Sequence, residues 1–263
     1  MLKAARKIRR GKTARSVTAL MLREMETTFG RSPGGYLWAV AEPVAAIALL
    51  SVAFGLALRA PALGSSFALF YATGYLPFTM TLDTANKVAN AIRFSRPLLT
   101  YPAVTFVDAL LARFVLNLLT HALVFCLVIG GIVMLLGARV TPDLPLVLSS
   151  MAMAAVLGLG VGTLNCLLFN TWPLWERIWQ IVTRPLFLVS GIFFLPEDIP
   201  LPWSTWLALN PVVHVVAEMR RGLYAGYEAP GLSHVYVYGL GLGCLAFGLA
   251  LLGRQHRRIL EEG

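Results

Sequence analysis

Six long apolar runs take up most of this chain and leave no room for a separate soluble domain. They extend from Gly35 to Leu58, Phe67 to Val88, Leu110 to Leu136, Leu144 to Phe169, Trp179 to Leu195 and Val235 to Leu252. About 20 mostly apolar residues suffice for a helix to cross a bilayer. Of the 263 residues only 13% are charged and 57% are hydrophobic. Soluble domains carry about a quarter charged residues. The runs therefore predict an all-α integral membrane protein with six transmembrane helices in one domain. Its bundle covers residues 35–253 and a short tail covers 254–263.

The formal net charge of +9 raises the question of nucleic-acid binding, and its distribution answers it. Lys3, Arg6, Lys7, Arg9, Arg10, Lys12 and Arg15 precede the first run. Lys87, Arg93 and Arg96 follow the second, Arg177 and Arg184 surround the start of the fifth, and Arg254, Arg257 and Arg258 follow the sixth. That alternation is the positive-inside pattern and places both termini in the cytoplasm. Orientation and attraction to anionic headgroups account for the charge, and no nucleic-acid partner is expected. Arg220 and Arg221 stand out in the long fifth connection, where the rule carries little weight. The N-terminus lacks the short apolar core and cleavage site of a signal peptide. Cys126, Cys166 and Cys244 lie singly inside runs and read as small packing residues.

Ahead of the first run, Val17, Met21, Leu22, Met25 and Phe29 recur near helical spacing, while Arg15, Arg23 and Glu26 fall mostly on other faces. This predicts an amphipathic interface helix over residues 13–30. Gly30 and Ser32-Pro33-Gly34-Gly35 then break the helix directly before the first span. A surface helix, a tight bend and a span together suggest a part that transmits force. Asn90 to Pro102 is too polar to span, yet Ile92, Phe94, Leu98 and Leu99 give it an apolar side and Arg93 and Arg96 offer charge. After the fifth run, Pro196, Pro200 and Pro202 stop the helix, and Trp203 and Trp206 suit a membrane interface. Val212 to Tyr224 is helical again but too short to cross, as in a re-entrant hairpin buried in protein or lining a wet cavity.

No catalytic constellation emerges. Arg10-Gly11-Lys12-Thr13 mimics the end of a phosphate-binding loop, but Arg6 occupies the required glycine position and no strand precedes it. His214 and Glu218 share a helix face without forming a credible metal site; a hydrogen bond or an ion pair with Arg220 or Arg221 is the simpler reading. Polar residues within spans tell more, because they face the bundle or a water path. Arg113, Asn117 and His121 form a stripe on the third span, Glu42 precedes Pro43 in the first, and Asp83 closes the second, which also holds Tyr71, Tyr75 and Phe78. They read equally as a pathway wall or as hydrogen bonding between helices. Gly158 and Gly162, like Gly239 and Gly243, have the spacing of close helix contacts.

Arg31-Ser32-Pro33-Gly34-Gly35-Tyr36-Leu37-Trp38 with Glu42-Pro43, Arg96-Pro97-Leu98, and Asn210-Pro211 with Glu218 and Arg221 carry a resemblance. With these residues the chain resembles the permease subunits of ABC-2 type exporters, and among them the capsular-polysaccharide export permeases of Gram-negative bacteria. The resemblance implies a homodimer in the bacterial inner membrane, joined by two ATP-binding subunits that carry ATP and Mg, with no cofactor on this chain. Arg15, Arg23, Arg93, Phe94, Arg96 and Pro97 would then couple to the ATPases. Glu42, Tyr71, Phe78, Asp83, Arg113 and His121 would line the path of a lipid-linked polysaccharide. Pro196, Trp203, Trp206, Asn210 and Pro211 would form a periplasmic re-entrant cap. A periplasmic co-polymerase or adaptor and an outer-membrane exporter would continue the route. Rival readings are an ABC-2 permease for O-antigen, teichoic acid or a hydrophobic drug, and a membrane-embedded transferase.

Overall fold

A computed structural model describes residues 2–29, 34–99, 101, 104–138 and 140–262, with side chains from 13–27, 34–35, 37–99, 101, 104–138 and 140–255. Among the described residues all regular structure is helical. In chain order the helices are α1 (Leu2–Phe29), α2 (Gly35–Ala57), α3 (Phe67–Ala89), α4 (Ala91–Leu99), α5 (Phe106–Leu136), α6 (Leu144–Thr171), α7 (Pro173–Val189), α8 (Trp203–Leu207), α9 (Pro211–Leu223) and α10 (His234–Glu262). Four stretches are long and apolar enough to cross a membrane: Leu37–Ala57, Phe106–Leu136, Leu144–Thr171 and His234–Gln255. The second and fifth expected spans correspond to α3 and α7, which are helical but more polar or shorter.

Local chemistry explains where several elements begin. Gly34 precedes α2 with φ 95°, a left-handed conformation that glycine adopts without cost. Its neighbours 30–33, with the rest of the predicted bend, lie outside the described residues. α5 starts ahead of the apolar run, because Thr105 and Asp108 form a reciprocal capping box: the Thr105 hydroxyl accepts from the Asp108 N–H, and the Thr105 N–H donates to the Asp108 carboxylate. α7 runs from Pro173 to Val189 rather than from Trp179 to Leu195. Pro173 is pre-set for the first helical turn, so Trp175, Glu176 and Arg177 lie inside the helix despite their polarity.

The centre of the bundle is α6, which packs on α3, α9 and α10. A Cβ on Gly158 would lie 2.8 Å from the Thr81 carbonyl, and one on Gly162 would lie 2.7 Å from that of Ala85. Small residues thus let two backbones touch in a medium where apolar burial drives little association. On α10 the expected contact glycines, Gly239 and Gly243, face open space. Gly241 and Gly248 make the close approach instead, Gly241 against Val156 and Leu157 and Gly248 against Thr163 and Leu164. The spacing alone could not choose which face of α10 turns toward α6.

α1 begins far ahead of residue 13 and packs against α5. Its buried residues include Leu20 and Glu24, while Leu22, expected on the apolar face, is 56% exposed. Glu24 turns inward because a cation on α5 awaits it, which an apolar pattern does not register.

Candidate functional site

Three regions hold the residues of interest: a joint of four helices, a cavity behind it and a group of short elements at the opposite end. The joint forms where α1, α3, α4 and α5 meet. Arg113, in the first turns of α5, is buried with its Nε 3.3 Å from Glu24 Oε1. That nitrogen makes no hydrogen bond, so charge holds the pair. Nη1 of Arg113 donates to the Lys87 carbonyl at 2.9 Å, and its guanidinium lies 4.1 Å from the centroid of the Phe94 ring. The Arg23 guanidinium approaches the same ring at 5.8 Å. Burial pushes the Glu24 carboxyl above its ordinary range, while the charges of Arg113 and Lys87 pull it back.

On the other side of α4, Arg93 Nη1 donates to Glu176 on α7 at 2.6 Å, and its Nη2 donates to the Phe169 carbonyl at the end of α6. Indole N–H groups tie the same end of α7 to its neighbours. Trp175 donates to Asn165 at 2.9 Å and Trp179 donates to Asn86 at 2.8 Å. Arg15 is exposed on α1, whereas Arg96 is partly buried and Pro97 exposed on α4. Arg23, Arg93 and Phe94, expected to face an ATPase, make contacts within this chain.

Behind the joint, α2, α3 and α5 enclose an open cavity of about 490 Å³. Glu42 and Trp38 line it from α2, Tyr75, Asp83 and Lys87 from α3, and His121 from α5. His121 Nε2 lies 3.3 Å from Asp83 Oδ2. Pro43, also in the wall, has no N–H to close the helix hydrogen bond to the Ala39 carbonyl, so an acceptor is left over there. The cavity thus brings Glu42, Asp83 and His121 together. Tyr71 and Phe78 are not in its wall: Tyr71 is buried 5.3 Å from Phe54, and Phe78 lies 5.5 Å from Phe187 in the same aromatic core. The Arg113–Asn117–His121 stripe divides along its length. Asn117 donates to Thr84 at 2.7 Å and Arg113 serves the joint, so His121 alone of the three reaches the cavity wall.

At the far end, Asn210 caps α9 by accepting from the Val212 N–H at 3.0 Å. Its amide donates to the Val189 carbonyl at 3.2 Å and the Ser190 hydroxyl at 3.1 Å, which joins the start of α9 to the end of α7. Pro211 occupies the first turn of α9 and Pro196 opens a short 3₁₀ turn, while Trp203 and Trp206 are exposed. Arg220 is fully buried; it donates to the carbonyls of Ile192 and Phe194 and stacks 4.3 Å from the Phe70 centroid. Glu218 accepts from Arg221 at 2.9 Å and lies 2.9 Å from His234 Nε2. The two arginines of the fifth connection are therefore both engaged within the chain, Arg220 by backbone carbonyls and Arg221 by Glu218. Sequence reading did not single out Glu24, Glu176 or Asn86, and nothing in their local pattern marks them.

A helical bundle with four stretches long and apolar enough to cross a membrane is the build of an integral membrane protein. The chain belongs to the ABC-2 type transporter family, whose match covers residues 15–224. It is 32% identical over 249 residues to the polysialic acid transport protein KpsM of Escherichia coli, covering 94% of this chain and 96% of that one. It is 28% identical over 247 residues to the capsule polysaccharide export inner-membrane protein CtrC of Neisseria meningitidis serogroup B, covering 91% of each. The corresponding BexB protein of Haemophilus influenzae is 23% identical over 239 residues, with 90% of each chain covered.

Proposed function

We propose that this chain is the permease of an ATP-driven exporter that moves lipid-linked capsular polysaccharide across the bacterial inner membrane. The observation that carries the reading is the full-length similarity to proteins named for polysialic acid transport and capsule polysaccharide export. In this reading α3 and α7 complete a set of six spans with both termini in the cytoplasm. α8 and α9 form the re-entrant cap on the periplasmic side. Two copies pair, and α2 and α7 are the candidates for their interface, since both leave large apolar residues such as Leu49, Val52, Ile181 and Leu188 uncovered.

Two ATP-binding subunits supply ATP hydrolysis with Mg, and they dock against α1 and α4. Their closure tilts the helices tied to that joint and opens a route for the glycan. The cavity with Glu42, Asp83 and His121 is offered as part of that route: carboxylates accept hydrogen bonds from sugar hydroxyls, and Trp38 and Tyr75 present faces for sugar rings. Export then continues through a periplasmic co-polymerase or adaptor and an outer-membrane exporter.

Deleting the gene in its own host tests the reading. Polymer is expected to accumulate inside the cell while surface capsule disappears, with recovery on re-expression. Unchanged surface capsule together with lost resistance to a hydrophobic drug would replace the glycan with the drug.

A further inference from the structure

Coupling to an ATPase is usually pictured as contact made by outward-facing side chains, yet the central residues of this joint face inward. One side chain on α5 touches three other elements. Arg113 meets α1 through Glu24, the end of α3 through the Lys87 carbonyl, and α4 through the face of Phe94. Arg113 and Glu24 are both buried, at 8% and 6% exposed, so water does not screen their attraction as it would a surface pair. The Phe94 ring receives Arg113 at 4.1 Å and Arg23 at 5.8 Å, which brings α1 to α4 a second time.

We infer that Arg113 is the positioning residue of the joint, binding α1 and α4 to the cytoplasmic ends of α3 and α5 so that they move as one body. The chemistry requires arginine. A planar guanidinium can present one edge to a carboxylate, another N–H to a carbonyl and its flat face to a ring, whereas a lysine ammonium is a single point charge. Arg113 does not reach the cavity, so its part in transport is transmission rather than contact with cargo. A push delivered to either α1 or α4 would arrive at the same pair of spans. This assignment rests on the coupling role proposed above.

The test uses the permease assembled with its ATP-binding subunit in proteoliposomes. It compares wild type with Arg113→Met, Arg113→Lys, Phe94→Leu and Phe94→Tyr. Spin labels at Ala19 on α1 and Leu119 on α5, in a chain with its native cysteines replaced, report whether the two helices stay in register. Arg113→Met and Phe94→Leu are expected to assemble and hydrolyse ATP, to export about tenfold less glycan per ATP, and to broaden the label distance. Arg113→Lys should fall between them and wild type, and Phe94→Tyr should match wild type. An unchanged export ratio or an unchanged distance distribution in Phe94→Leu and Arg113→Met overturns the assignment. Should the wild-type chain fail to bind the ATPase or to export glycan, the transport reading falls. The label distances on the permease alone still decide whether Arg113 holds α1 to α5.

Discussion

α6 and α7 follow one another with a single residue between them, and their surroundings could hardly differ more. α6 buries residues along its whole length, including Ser150, Gly158, Gly160, Gly162, Asn165 and Phe169, and two of its glycines meet backbone of α3. α7 has no buried residue at all. Leu174, Ile181, Val182 and Leu188 are each more than half exposed, and side chains tether the helix near both ends: Glu176, Trp175 and Trp179 at its start, and Phe187 and the Val189 carbonyl at its finish. A helix wedged backbone to backbone is a fixed post. One held by side chains alone can lend its apolar face to lipid or to a second copy.

The hardest challenge to that contrast is a side chain at Gly160. A Cβ there runs into the Gly241 carbonyl, and backbone cannot yield as a flexible side chain would. Gly160→Leu should cost about 3 kcal/mol or more, seen as loss of monodisperse protein after extraction. Gly243→Leu, facing open space on α10, should extract like wild type. On α7 the reverse is expected. Ile181→Trp should leave the unfolding temperature of the isolated chain unchanged while weakening self-association by about tenfold, an effect worth roughly 1.4 kcal/mol. A lowered unfolding temperature would mean that α7 is packed after all.

Smaller effects probe the tethers. Arg93→Ala removes the exposed pair with Glu176 and a bond to the Phe169 carbonyl, and should cost about 1 kcal/mol. Repeating the unfolding measurement at high salt should shrink the difference, because the ion pair is partly exposed. A cycle with Glu176→Gln isolates the pair itself. Trp179→Phe deletes a single neutral hydrogen bond to Asn86 and should cost about 0.5–1 kcal/mol. Faster proteolysis near residue 179 is its most sensitive readout.

Much of the fold was legible in the sequence because lipid rewards long apolar runs and little else. α2, α3, α6 and α9 begin within a residue of where hydropathy and prolines place them. Boundaries set by polar chemistry were harder: the Thr105–Asp108 capping box extends α5, and Pro173 starts α7 ahead of its apolar stretch. The candidate site was legible only as a set of residues. Arg113, Asn117 and His121 share a stripe in sequence, yet Arg113 meets α1 and α4 while Asn117 and His121 meet Thr84 and Asp83 of α3.

The sequence by itself determined that this is a helical membrane protein and which polar residues had to be accounted for inside it. Only the tertiary structure decided which way they turn. It carried Arg113 into the joint, Tyr71 and Phe78 into an aromatic core, Arg220 onto the carbonyls of Ile192 and Phe194, and Glu42, Asp83 and His121 into one cavity. The reason is physical: hydropathy is a property of one segment, whereas the partner of a buried charge is fixed by which helix end comes within about 4 Å of it.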